Sequence, residues 1–187
     1  METKTMLGKG LKYLAVGTVL WGLITTWAVA GPEQDCELAE KEFARGDLVA
    51  SLALWKKAAQ QGFAPAQSRL GDILDKAEED ELAVEWYRKA AVSSNAAGEY
   101  GLGLMYAKGE GVKKDFEQAR IYIFRAAEKD HLAAVTLMMD VYRTGGLGIA
   151  ADDAQADAWE TKLIALSPGY QRVSAEVKGK AKKVGVK

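Results

Sequence analysis

The residues that most enzyme and metal sites require are scarce in this chain. Among 187 residues there is one cysteine, Cys36, and one histidine, His131. A single cysteine excludes an internal disulfide framework and zinc sites with two or more thiolates, and a single histidine removes most proton-relay and metal constellations. The sequence strings typical of phosphate-binding loops, zinc proteases and serine hydrolases are also missing. We therefore predict no catalytic residues, no metal site and no cofactor.

Proline is scarce as well, with 3 residues against 31 alanines, and runs of β-branched residues are few. Alanine favours helices, whereas sheets are built largely from β-branched and aromatic residues. Because 49% of the residues are apolar and 27% are charged, the chain can fold around a core of its own. The composition predicts an all-α domain.

The first 30 residues have the layout of a targeting segment. Three lysines lie within residues 1–12, no charged residue occurs from 13 to 30, and the apolar stretch ends in Ala28-Val29-Ala30. This order is typical of a secretory signal peptide that is cleaved after the small residues. The alternative is an uncleaved membrane anchor, although the uncharged stretch would extend only about 27 Å as a helix at roughly 1.5 Å per residue. On both interpretations the rest of the chain is exported and is periplasmic or secreted.

Two sequence tracts recur with the same period. The first tract ends in an alanine pair, at Ala58-Ala59, Ala90-Ala91 and Ala126-Ala127, so the spacings are 32 and 36 residues. The second tract starts with a small residue and continues to Leu-Gly or Met-Met, and it begins at Ala66, Gly98 and Ala134 with the same spacings. Two tracts that share one period predict an internal repeat made of two helices and a turn.

Single residues within the repeat fit a helical hairpin. Gly71 and Gly103 lie in the second tract, where the lack of a side chain lets two helix axes approach closely. An acid stands before each second helix, which suits a helix N-terminus because its carboxylate accepts hydrogen bonds from free N–H groups. These acids are Asp47, Glu79, Asp115 and Asp152. Four such units, stacked, bury the apolar faces that one unit alone leaves exposed.

These tracts resemble the Sel1-like repeat family, whose members are relatives of the tetratricopeptide repeats. The resemblance rests on the pattern A-x-x-x-L-G-x-x-Y, on the glycine turn from Gly109 to Asp115 and on the ending that starts at Trp86, and it covers roughly residues 36–166. It implies an α-solenoid of about four stacked helix-turn-helix repeats. The second unit departs from the family pattern because it is four residues shorter and lacks the glycine turn.

The resemblance also implies where a partner would bind. In solenoids of this class, the helix face opposite the packing residues lines a concave groove that holds peptides or partner helices. Tyr100 is the best single candidate on this face, since a tyrosine supplies contact area and a polar tip. The predicted groove surface consists of Tyr100, Leu104, Lys108, Asp72, Lys76, Thr136, Asp140 and Arg143.

These features predict an exported scaffold that mediates protein–protein interaction through its groove. One alternative is an accessory subunit of a membrane complex, held in the membrane by residues 13–30. A cell-wall hydrolase is a further alternative, but the sequence offers no pair of nucleophile and base.

The end of the chain is basic, whereas the body is acidic. Residues 31–169 contain 16 basic and 24 acidic side chains, and residues 170–187 contain six and one. The composition favours a disordered, solubilising tail at residues 167–187. The alternative is contact with an anionic surface through Arg172, Lys178, Lys180, Lys182 and Lys183. Nucleic acid is not a predicted partner, because export and the lack of interleaved aromatic residues disfavour it.

Overall fold

In a computed structural model that describes residues 31–170, the chain folds into helices joined by short turns and loops. Eight helices follow one another between Pro32 and Leu166. They are α1 (Pro32–Ala44), α2 (Leu48–Gln60), α3 (Ala64–Lys76), α4 (Asp80–Val92), α5 (Ala96–Lys108), α6 (Phe116–Glu128), α7 (Leu132–Thr144) and α8 (Asp153–Leu166). The predicted signal peptide or anchor at 1–30 and the five basic tail residues from Arg172 to Lys183 lie outside the described residues.

The helices pack in consecutive pairs. Each odd-numbered helix packs most extensively against the helix that follows it, so the units are α1/α2, α3/α4, α5/α6 and α7/α8. Neighbouring units meet where α2 packs on α3, α4 on α5 and α6 on α7, and α3 also touches α5. This arrangement confirms the predicted α-solenoid of four stacked helix-turn-helix units.

The sequence period follows from the lengths of helices and connections. Each helix from α1 to α7 has 13 residues. The connections between units, at 61–63, 93–95 and 129–131, have three residues each. Within units the connection has three residues at 45–47 and 77–79, but seven at 109–115 and eight at 145–152. Helices of constant length with short turns give the spacing of 32, and the loop at 109–115 lengthens it to 36.

Glycine is required where paired helices approach most closely. A Cβ on Gly103 would lie 2.6 Å from Cγ1 of Ile123 and 3.1 Å from the Ile123 nitrogen. A Cβ on Gly71 would lie 2.6 Å from the ring of Tyr87. Side-chain carbons do not approach other atoms this closely, so the predicted role of both glycines is confirmed.

The acids before the second helices cap three of the four. Backbone N–H groups at the starts of α2, α6 and α8 donate to Asp47, Asp115 and Asp152 over 2.9–3.1 Å. Glu79 occupies the corresponding position before α4, but its side chain accepts no capping hydrogen bond. Glutamate is not among the preferred capping residues, so the prediction for Glu79 is wrong.

The apolar core is distributed along the stack. One cluster surrounds Trp55 in the first unit, a second surrounds Tyr87 and Leu102, and a third surrounds Ile123 and Met138. Each cluster joins a helical hairpin to the hairpin beside it. The stack therefore holds the faces of its first helices, including the predicted groove surface, in a fixed order.

Candidate functional site

The predicted groove surface draws on the first helices of three successive units. Asp72 and Lys76 lie on α3, and Tyr100, Leu104 and Lys108 lie on α5; the remaining members, Thr136, Asp140 and Arg143, lie on α7. Each of these eight side chains is half-buried or exposed. The surface is thus open to solvent along its length, as a binding surface must be.

A partly desolvated polar cluster lies along the α3 and α5 part of this surface. Tyr87 donates its hydroxyl hydrogen to Asp72 Oδ1 over 2.8 Å, and the Tyr100 ring packs on the His131 ring with centroids 4.9 Å apart. Burial raises the pKa of Asp72 and of Tyr100. Burial also lowers the pKa of His131, against the opposing effect of the Asp72 carboxylate. In each case burial disfavours the charged form, so the cluster is suited to hydrogen bonding more than to ion pairing.

Tyr100 has a packing role within the chain, at the start of α7. Its half-buried ring contacts the cluster around α7 and rests on His131, which is the N-cap residue of α7 and accepts from the Ala134 nitrogen at 3.4 Å. Only part of the Tyr100 ring is therefore available to a partner. Leu104, one turn further along α5, is also half-buried.

Two charged members of the surface, Lys108 and Arg143, have partners within the chain. Lys108 Nζ lies 2.8 Å from Glu110 Oε2, and both side chains are exposed, so this pair is readily exchanged for contacts with a ligand. Arg143 lies 2.8 Å from carboxylate oxygens of both Asp157 and Glu160 on α8. The Arg143 guanidinium is therefore paired within its own hairpin.

Three members of the groove surface remain: Thr136, Lys76 and Asp140. Thr136 donates its hydroxyl hydrogen to the Leu132 carbonyl of its own helix over 2.9 Å. Lys76 and Asp140 are exposed. They place charges of opposite sign at the two ends of the surface, which gives it a direction.

An apolar crevice beside the groove surface was not predicted. A cavity of about 300 Å³ opens between α2 and α3, and its apolar lining is formed by Phe43, Leu48, Leu52, Trp55 and Ile73. Asp72 and Lys76 of the groove surface also line it, so the crevice adjoins that surface at its first end. The sequence signal that points to it is the four-residue shortening of the second unit.

Two other kinds of site are absent from the described part of the chain. Within residues 31–170, no helix has the length and apolar character needed to cross a membrane. Over the same residues, no three side chains of histidine, cysteine or acid are grouped so that they could hold a metal ion.

The fold and its open surface define the class, an α-solenoid of helical hairpins. A family model described as the Sel1 repeat matches residues 43–63, 64–91 and 96–131. The matched segments run from the end of α1 to the start of α7, so the fourth hairpin lies beyond them. The chain is a Sel1-like repeat protein.

Solved structures and curated proteins agree with this assignment. A Sel1 repeat protein from Oxalobacter formigenes is 29% identical with a TM-score of 0.61, over 73% of this chain and 41% of that one. A protective antigen of uropathogenic Escherichia coli with an SLR fold is 32% identical with a TM-score of 0.64, over 78% and 34%. Protein sel-1 homolog 2 of Mus musculus is 31% identical over 115 residues, which are 57% of this chain and 17% of that protein. The chain thus spans less than a fifth of this curated relative and less than half of either solved chain.

Proposed function

We propose that this protein is an exported scaffold that binds a peptide segment or helix of another protein on its groove surface. Sel1 repeat proteins generally mediate protein–protein interaction. The observation that supports the groove is its continuity: three successive first helices present half-buried and exposed side chains, with Tyr100 and Leu104 at the centre. The signal-peptide layout of residues 1–30 supports export.

The surface chemistry suits an elongated ligand. Leu104 and the free part of the Tyr100 ring offer apolar contact, and the desolvated Asp72 offers hydrogen-bond acceptors beside them. Lys76 and Asp140, at opposite ends, favour one orientation of a ligand that carries charges at its ends. Apolar contacts near the centre supply most of the affinity, while the exposed charges act mainly on orientation and rate.

The test uses a variant that spares the packing of Tyr100. Partners are captured from native membranes with the wild-type protein and identified by mass spectrometry. The double variant Leu104→Ser with Lys108→Ser should then bind the captured partner at least about 30-fold more weakly, because loss of about 2 kcal/mol is typical when such central side chains are truncated. Full capture by this variant would refute binding at the groove.

A matched control has the same residue types on another face. Leu82→Ser with Lys89→Ser changes an exposed leucine and lysine on α4, and this variant should bind like the wild type. Mass spectrometry of the native N-terminus tests export separately. A chain that begins at Gly31 supports signal cleavage, whereas one that begins at Met1 in the membrane fraction supports the accessory-subunit alternative.

A further inference from the structure

Three crevices in the stack are built alike, each between the second helix of one unit and the first helix of the next. The loop at 109–115 covers the crevice between α4 and α5. Its Val112 packs on the cluster that includes Val84, Tyr87 and Met105. A Cβ on Gly111 of this loop would lie 2.4 Å from the carbonyl oxygen of Asp80, so the loop backbone is pressed against the start of α4.

The loop at 145–152 covers the crevice between α6 and α7 in the same way. Leu147 packs against the cluster around Ile123, and its carbonyl oxygen accepts a hydrogen bond from Arg120 of α6. A Cβ on Gly148 would lie 3.1 Å from Nη1 of Arg120 and 3.8 Å from Phe116, at the start of α6. In both units, therefore, an aliphatic side chain next to a glycine covers part of the crevice. Beside Ile149, the α6/α7 crevice keeps an opening of about 460 Å³ that is lined by Arg120, Phe124 and Met138.

All four connections within units end in an equivalent backbone hydrogen bond to the first helix. The residue before each second helix donates its backbone N–H to the carbonyl of an equivalent residue in the first helix, over 2.7–2.9 Å. The pairs are Asp47 with Glu42, Glu79 with Leu74, Asp115 with Tyr106 and Asp152 with Tyr142. Since the ends are fixed, the additional residues of the two long loops can only extend outward over the neighbouring helix. The turn at 77–79 has no additional residues and cannot reach α2.

The crevice between α2 and α3 is consequently open. Leu52 is 40% exposed, whereas its equivalent one period later, Val84, is 3% exposed. Trp55 and Ile73, the equivalents of Tyr87 and Met105, line the resulting cavity of about 300 Å³. Its size is at the lower end of the range for ligand pockets.

The arginine in the wall of this cavity is already paired within the chain. Arg69 donates to both carboxylate oxygens of Glu40 over 2.8–3.1 Å, and its guanidinium lies 5.1 Å from the centre of the Trp55 ring. An arginine held in this way does not need an anionic ligand. With Arg69 already paired, the cavity offers a ligand mainly its apolar lining.

We propose that this α2/α3 pocket, formed by Phe43, Leu48, Leu52, Trp55 and Ile73, binds an aliphatic side chain from a turn or extended segment of a partner protein. The partner side chain takes the place that Val112 holds in the next unit. The proposal extends the proposed function, since Asp72 and Lys76 line both the pocket and the groove surface, and it makes the pocket the first contact of a ligand that continues along the groove.

The test restores the missing cover. In the full chain, residues 77–79 are replaced by the seven residues of the 109–115 loop, so that a valine reaches the α2/α3 crevice. Peptides selected from a phage-displayed random library on the wild-type protein serve as the probe. They should share one valine, leucine or isoleucine, and their affinity should fall at least about tenfold on the grafted variant. The graft should also raise the midpoint of urea unfolding, which shows that it folds.

A second graft is the matched control. It carries the same seven residues with aspartate in the position of Val112, and because a carboxylate does not enter an apolar pocket, peptide binding should be retained. Selected peptides without a shared aliphatic residue, or equal binding to the wild type and the valine graft, would overturn the proposal. Sedimentation that shows self-association of the wild type but not of the valine graft would identify a second copy as the occupant and would also overturn it.

The two proposals can fail separately. If the native partner is lost by the valine graft but retained by Leu104→Ser with Lys108→Ser, the pocket stands and the groove proposal fails. If the valine graft binds the native partner and the peptides like the wild type while the groove variant loses the partner, the pocket proposal fails alone.

Discussion

The close contact at Gly103 between the helices of the third unit gives a quantitative prediction for Gly103→Ala. The added Cβ would lie 2.6 Å from Cγ1 of the fully buried Ile123, and it would also lie 3.1 and 3.2 Å from the backbone nitrogen of Ile123 and the carbonyl oxygen of Ala119. Overpacking of this kind costs about 1–3 kcal/mol. Alanine in place of glycine recovers about 1 kcal/mol of helix propensity. Because three atoms are affected, two of them in the backbone, we expect a net loss of about 1–2 kcal/mol.

A double-mutant cycle isolates the contact. Ile123→Ala alone should lose about 2–5 kcal/mol, since it leaves a cavity in the core. In that background the nearest obstacle is removed, so Gly103→Ala should become almost neutral, and the coupling energy should be about 1–2 kcal/mol. Urea unfolding followed by far-ultraviolet circular dichroism measures all four proteins. The reasoning is refuted if Gly103→Ala stabilises the protein equally in both backgrounds, because only helix propensity would then be at work.

Two further predictions concern helix starts. Asp115→Ala should lose about 1 kcal/mol in urea unfolding, since Asp115 accepts two backbone hydrogen bonds at the start of α6, whereas Glu79→Ala should change stability by only a few tenths of a kcal/mol because Glu79 accepts none. For His131, burial lowers the pKa in the folded state. The unfolded chain therefore binds more protons as the pH falls below about 6.5, so stability should decrease there. His131→Asn retains a capping residue and should lose this part of the pH dependence, measured by urea unfolding between about pH 7 and about pH 5.

Each of these predictions has a clear opposite outcome. Equal losses for Asp115→Ala and Glu79→Ala would mean that the hydrogen bonds at α6 contribute no more than an uncapped position does. The same slope of stability against pH in the wild type and in His131→Asn would show that other groups cause the acid sensitivity.

The helices, their pairing and their stacking could be predicted because all three follow from the repeat period. Gly71 and Gly103 recur at one position of the repeat. The Leu-Gly tracts alternate along the chain with the alanine pairs, and together they identify the packing faces of both helices in a hairpin. Three capping acids were recognisable for the same reason, since a cap depends only on residues within one turn of it. Local chemistry and a strict period therefore suffice for the architecture.

Burial of polar residues could not be predicted in the same way. Asp35, Gln67 and Glu99 occupy one position in successive units, and all three are buried. Asp35 pairs with Lys57 at 2.9 Å, and Glu99 pairs with Lys129 at 2.6 Å. In the sequence these side chains look solvent-exposed, because the partners that allow their burial lie 22 and 30 residues away.

The site was predicted only in outline. The family resemblance implied the groove face, and the period identified the equivalent positions on α3, α5 and α7. The orientation of Arg143 toward α8 and the packing of Tyr100 on His131 depend on tertiary contacts. The open crevice was visible in the sequence only as four missing residues. The missing residues matter because the two longer loops lie over α4 and α6, and the short turn provides no such cover for α2.

The two edges of the solenoid differ in how well they tolerate inserted sequence, because the connections have a constant length at one edge and a variable length at the other. At one edge, every connection between units has three residues, at 61–63, 93–95 and 129–131. A change there would alter the distance between hairpins and with it the whole stack. At the other edge the lengths range from three to eight residues while the 13-residue helices stay the same. Fluorophore tags, epitopes or grafted binding loops therefore belong at the second edge, and evolution can remodel that edge one unit at a time.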